Sequence, residues 1–399
     1  MGHGRGALYS PTFHHISLSS SVQSIPDPRS FPLREGGSAP HYPQWHAWAA
    51  LSLAAATGQE REAADGQLRG AMVDALRARQ IAGIEATLNA AVSAAVYRHL
   101  WRALIAAWRD SAARADTQVI AHGFAFPVVV VAAAGTAIEL PGILRDAPQI
   151  VELLQQHGSL AGNRNFGIAN VLAGTDALGL DAIPRWLVWR GVLDSVAALH
   201  DVPPSPIVIA AGREGAHLRF LIGTALAAPH AALFDEWTVG VWGIPLAQSL
   251  SRQLAAEGVQ LLALPGAPTD PLSALHQGRL AHREVALQLF ASSAIRKLRA
   301  EFGEPIAVIS AHRIDSGGEL RLSLSSPFGE RDAEGFRCPL HPFDRVEDVL
   351  TMIVELLHAC RVMDVRVLTH VHPDRDLRTG LTLLFRADAI GAAESVADH

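Results

Sequence analysis

Phe126-Pro127-Val128-Val129-Val130-Val131-Ala132 contains four consecutive valines. A β-branched run with no polar side predicts a strand buried on both faces, as in a sheet covered by helices. A mixed α+β fold follows, in which the rest of the chain must supply the covering helices and neighbouring strands.

Upstream, residues 1–42 are rich in Gly, Ser, Pro and His and lack apolar periodicity, so they are expected to form a disordered or loosely attached arm. From Gln44 to about Arg114 the pattern turns helical. Ile84, Leu88, Val92, Val96, Leu100, Leu104 and Trp108 recur every four residues, with Leu68, Met72 and Leu76 in the same phase upstream. A four-residue repeat drifts around a helix of about 3.6 residues per turn, so this apolar surface spirals and needs several partner elements. Breaks are expected at Gly58, Gly70 or Gly83. The rings of Trp45, Trp48, Trp101 and Trp108 are read first as core and second as an interface. Residues 43–115 thus form a helical segment.

Downstream, residues 116–270 read as an α/β central domain of strand-helix units. A helix is expected over 147–156, turn chemistry over Gly162–Gly167, and a helical or mixed pattern over Ile183–Leu199. A second buried strand is placed at Pro206–Ala210, where Val208-Ile209-Ala210-Ala211-Gly212 echoes Val131-Ala132-Ala133-Ala134-Gly135. Thr238–Trp242, a helix through Leu246, Leu250 and Leu254, and Val259–Leu264 read as a βαβ unit. The loop Pro265–Pro271 marks a soft boundary.

Residues 271–399 read as an α+β C-terminal domain. A helix over Pro271–Phe302 leads to strands Pro305–Asp315 and Glu319–Ser325, joined as a hairpin. Phe343–Cys360 is amphipathic, with Asp344 and Glu347 placed as a capping box, and strands Val365–His370 and Leu381–Phe385 complete a C-terminal ββαββ unit.

With 399 residues and 49% apolar content, the chain can bury a large core unaided. Cys338 and Cys360 are too few for a disulfide framework, no signal-peptide pattern is read at the start, and no apolar run reaches the ~18 residues of a membrane span. A soluble, cytoplasmic protein is expected, without a membrane role. Its source is read as bacterial from abundant alanine and a single lysine, Lys297, among many arginines. The net charge of −6 disfavours nucleic acid as main partner. Lysine chemistry has only Lys297, in a stretch typical of a solvated helix face.

The candidate site is Thr369-His370-Val371-His372-Pro373-Asp374. His370 and His372 are two apart and share a face on an extended strand, and Asp374 can reach that face. Two imidazoles and a carboxylate suit zinc or another divalent metal. These six residues resemble the His-x-His-x-Asp motif of metallo-β-lactamase fold hydrolases. The resemblance ends there, because Arg375 stands where that family places a histidine and His399 is the one histidine that follows. A wider set of Cys338, His341, His358 and Cys360 is set aside, since His358 and Cys360 point apart on a helix. Gly212-Arg213-Glu214-Gly215, before an expected helix over 216–227, is read as an ordinary turn, with nucleotide phosphate as the alternative. No Gly-x-Ser-x-Gly elbow supports a serine nucleophile. The functional expectation is a non-catalytic interaction or assembly protein, self-associating or bound to a protein partner and needing no cofactor. The alternative is a metal-dependent hydrolase centred on His370, His372 and Asp374.

Overall fold

Among the described residues four helices come first: α1 (Pro43–Ala54), α2 (Gly58–Arg77), α3 (Ile81–Asn89) and α4 (Ala94–Ser111). Then follow β1 (Ile120–Ala132), β2 (Ile138–Leu140), α5 (Ala147–Gln156), β3 (Phe166–Ala173), α6 (Ile183–Arg190), β4 (Ile207–Ile209), β5 (Gly215–Ala227), α7 (Val239–Leu254) and β6 (Val259–Ala263). The last part holds α8 (Pro271–Phe302), β7 (Ile306–Ile314), β8 (Gly317–Ser325), β9 (Ala333–Leu340), α9 (Val346–Ala359) and β10 (Val365–Pro373). The computed structural model describes residues 25–31, 42–111, 119–132, 138–156, 166–190, 199, 202–209, 215–228, 239–254, 259–263, 270–315, 317–327, 333–375, 377, 384 and 385, with backbone alone for 188–190, 209, 239–240 and 259–263.

The helical segment is as expected, but its breaks fall elsewhere. Only Gly58 marks one, opening α2 behind a capping box made by Thr57 and Glu60. Gly70 and Gly83 lie inside α2 and α3, and the chain turns instead at Arg79, with φ of 55°, and between α3 and α4, where Val92 is 68% exposed. The other members of the four-residue ladder are buried in one core together with Trp45, Trp101 and Trp108. The aromatic surface is therefore spent within the chain.

β1 is central in a four-stranded antiparallel sheet of order β3-β5-β1-β6. Both of its faces are covered, as the valine run requires. Ala125, Val129 and Val131 face the four-helix segment and the start of α8, while Phe124, Phe126, Val128 and Val130 face α5 and α7. Gly223 of β5 lets the Phe124 ring lie flat on the sheet, since a Cβ there would overlap that ring.

Three expectations fail in this region. Residues 216–227 form strand β5, not a helix, so no helix N-terminus follows Gly212-Arg213-Glu214-Gly215 to receive a phosphate. Val239–Trp242 opens α7, and β6 pairs antiparallel with β1, which removes the βαβ unit. β4 is a three-residue strand paired, among the described residues, with β2 alone, and Val208 on it is 69% exposed, so it is no second copy of β1. The turn expected at Gly162–Gly167 lies in part outside the described residues, and Phe166 and Gly167 already belong to β3.

The second sheet has order β10-β7-β8-β9, with β10 parallel to β7 and the other pairs antiparallel. The β7–β8 hairpin is the expected one, and β9, not foreseen, supplies the fourth strand ahead of α9. Of the expected last strand, 381–383 lie outside the described residues and Leu384–Phe385 take no strand conformation. One face of this sheet packs on α9 and on Leu287, Ala291, Ile295 and Leu298 of α8. The first turns of α8 instead place Leu272 and Leu275 in the core of the first sheet, so one helix serves both. Ile25 is buried in the C-terminal core, and Pro28 and Arg29 abut Gly318, so residues 25–31 of the expected arm are packed.

The apolar face of α9 is buried as expected, but Asp344 does not cap it. Arg345 occupies the cap position without a side-chain bond. The Asp344 carboxylate instead accepts from Arg283 of α8 at 2.7 Å and from the His341 amide at 2.7 Å. A buried charge needs an opposite charge more than a helix end needs a cap. Among the described residues no helix is long and apolar enough to cross a membrane.

Candidate functional site

Strand alternation sends Ser310 and His312 of β7, Glu319, Arg321, Ser323 and Ser325 of β8, and His372 of β10 to the face of the second sheet turned away from α8 and α9. All but His372 are buried. Arg321 pairs across the strands with Ser310, and His312 with both Glu319 and His372. The Arg321 guanidinium donates to Glu319 Oε1 at 2.5 Å, to the Asp374 carbonyl at 2.8 Å, and to the Asp374 carboxylate. Its charge is thus balanced by two carboxylates, and the guanidinium beside Asp374 holds that carboxyl below the usual range.

His312 has a defined hydrogen-bonding state. Its Nδ1 lies 3.0 Å from the Pro373 carbonyl, which can only accept, so Nδ1 carries the proton and Nε2 is free to accept. Ser310 Oγ, 2.8 Å from Nε2, is then the donor. Burial pushes the His312 imidazole down to about 4, so it is neutral near pH 7. Leu384 lies against Gly335 of β9, and the Phe385 ring stands 4.5 Å from the His372 ring and 6.0 Å from that of His312. Ser323 Oγ, Ser325 Oγ and His372 Nε2 are buried without a hydrogen-bond partner among the described residues.

His370, His372 and Asp374 do not converge. The register of β10 shifts between Val367 and Val371, and His370 is exposed within that irregularity. His372 turns its ring to His312, 5.6 Å away, and to Phe385, and burial lowers its pKa with help from His370. Asp374 is engaged by Arg321. Among the described residues no three His, Cys, Asp or Glu side chains group as a metal set. The bulge and the Arg321 pairing thus give these three residues different surroundings. Of the wider set, Cys338 is buried with its thiol pushed up to about 11, far from the thiolate a metal takes.

A second feature lies between α1, α2 and α4. A groove of about 480 Å³ is lined by Ser52 and Leu53 of α1, Arg61, Asp65 and Arg69 of α2, and His99, Arg102, Ala103 and Ala106 of α4. His99 pairs with Asp65 at 2.9 Å and Arg69 with Asp110. Arg61 and Arg102 are exposed, and their guanidinium groups have no hydrogen-bond or ion-pair partner among the described residues. Leu53 is 47% exposed at the groove, and the buried Ser52 hydroxyl there has no partner among the described residues.

Sequence reading missed both features, although signals were present. Ser310 and His312 are two apart on an expected strand, the same criterion that singled out His370 and His372. Arg61, Asp65 and Arg69 recur every four residues, which aligns them along one side of a helix. Compared with known protein-family models, curated proteins and solved structures, the chain matches none.

Proposed function

We propose that this is a bacterial, cytoplasmic interaction or assembly protein that docks an acidic, leucine-bearing segment of a partner protein in the groove between α1, α2 and α4. The observation that carries the reading is the pair of guanidinium groups, Arg61 and Arg102, which have no partner among the described residues, at a groove whose wall includes the exposed Leu53. Ala103 and Ala106 leave room for inserted side chains, and the Ser52 hydroxyl offers a hydrogen bond at the wall. In a chain of net charge −6, a local cationic groove also gives orientation, since an acidic segment is repelled elsewhere.

A titration of the full chain with two labelled helical peptides, read by fluorescence anisotropy, tests the reading. One peptide carries leucine on one face and glutamate on the other; the second has lysine for every glutamate. The glutamate peptide is expected to bind, at least ~10-fold more weakly to an Arg61→Glu/Arg102→Glu variant and more weakly as salt is raised. Equal binding of both peptides, or no effect of the two substitutions, counts against the proposal.

A further inference from the structure

We infer that Ser310 is a nucleophile for hydrolysis of carboxylic esters with an apolar acyl chain, with His312 as its base and Leu384 and Phe385 standing where that chain lies. Three observations carry this. The tautomer set by the Pro373 carbonyl leaves His312 Nε2 as acceptor of the Ser310 hydroxyl at 2.8 Å, the relation a serine nucleophile needs to its base. Arg321, directly across the strand pair from Ser310, is held by Glu319 and Asp374, so the surroundings of the Ser310 hydroxyl offer no unbalanced charge, which suits a neutral ester. The cover is mismatched to its floor, since two apolar side chains lie over a face on which Ser323 Oγ, Ser325 Oγ and His372 Nε2 are orphaned.

A buried polar group left without a partner is destabilising. An ester displacing Leu384 and Phe385 keeps the apolar contact through its acyl chain and brings polar oxygen to a face where these two side chains supply none. A phosphate ester fits less well, because Glu319 and Asp374 already balance Arg321, and Arg337 lies 4.0 Å from both carboxylates.

Ser310 Oγ bonds to the carbonyl carbon while its proton passes to His312 Nε2. The tetrahedral oxyanion collapses, the acyl carbon–oxygen bond breaks, and the departing alkoxide takes the proton from His312. Water then attacks the acyl-Ser310 ester, giving a proton to His312, which returns it to Ser310 as the carboxylic acid leaves. No electron donor or acceptor is required.

The test is reaction of the full chain with an alkyl fluorophosphonate, which phosphonylates activated serines, followed by peptide mass spectrometry. Wild type and Phe385→Ala are run together, the second because it uncovers His312 and is expected to react faster. Stoichiometric label on Ser310, retained in Ser323→Ala and slowed about 100-fold in His312→Gln, supports the inference. Absence of label on Ser310 in both wild type and a folded Phe385→Ala chain, or unchanged labelling after Ser310→Ala, overturns it.

Discussion

Asp344 and Arg283 form an ion pair at 2.7 Å with side chains only 1% and 5% exposed. The pair joins the β9–α9 turn to α8. The Asp344 carbonyl also accepts from Arg29 at 2.9 Å and from Arg98 at 3.2 Å, so the N-terminal segment and α4 meet the C-terminal sheet at one residue. Removing one member leaves a buried charge without its partner. Asp344→Ala is therefore expected to cost about 3–5 kcal/mol in urea unfolding, and Asp344→Asn less, because the amide oxygen still accepts from the His341 amide. A loss under ~1 kcal/mol for Asp344→Ala would show that the junction is not structural.

Stability is expected to fall with pH through the buried histidines. Burial pushes His312 and His341 down to about 4, from an ordinary 6.5. Between these values the unfolded chain binds protons that the folded chain refuses. The stabilisation is thus full above 6.5 and is lost as pH falls toward 4. For His312 the loss is on the order of 3 kcal/mol. Denaturant unfolding of wild type and His312→Gln between about pH 7 and pH 4 separates this contribution from the carboxylates, and the variant should show the shallower decline. Parallel curves would mean that His312 titrates normally.

Arg321 and Glu319 are a second buried pair. Arg321→Met leaves the buried Glu319 with the longer contact to Arg337 at 4.0 Å and is expected to destabilise the fold by about 3–5 kcal/mol. Adding Glu319→Leu should restore much of that loss, because replacing both partners is far cheaper than breaking the pair. A double variant as unstable as Arg321→Met alone would contradict this.

At the centre of the first sheet, Gly223→Ala would drive a Cβ into the Phe124 ring and within 2.8 Å of the Gly167 carbonyl oxygen. Overpacking at this site is expected to cost about 1–3 kcal/mol, readable as a lowered midpoint in thermal unfolding. Phe124→Leu in the same background should recover part of it. An unchanged midpoint for Gly223→Ala would show that the sheet adjusts without cost.

Elements with strong local patterns were legible in the sequence: the valines of β1, the bounds of α5 and α8, the β7–β8 hairpin and the apolar face of α9. What escaped has physical causes. β5 is buried along most of its length and rich in Gly and Ala, so it shows no period-two alternation and follows a glycine turn that mimics the start of a helix. The start of α7 is β-branched and aromatic, and its tertiary packing against the sheet overrides that propensity. Asp344 has the right spacing for a cap, but its partner Arg283 lies 61 residues away and leaves no local trace. The candidate histidines were found for a sound reason, their shared strand face, yet the bulge and the pull of Arg321 on Asp374 arise from non-local pairing.

The most direct test of the proposed docking groove is hydrogen–deuterium exchange on the full chain with and without the glutamate-leucine peptide. New protection confined to α1, α2 and α4 around Leu53, Arg61 and Arg102, absent in Arg61→Glu/Arg102→Glu, is the expected result. Protection located elsewhere, or none under conditions where the peptide is bound, would contradict it.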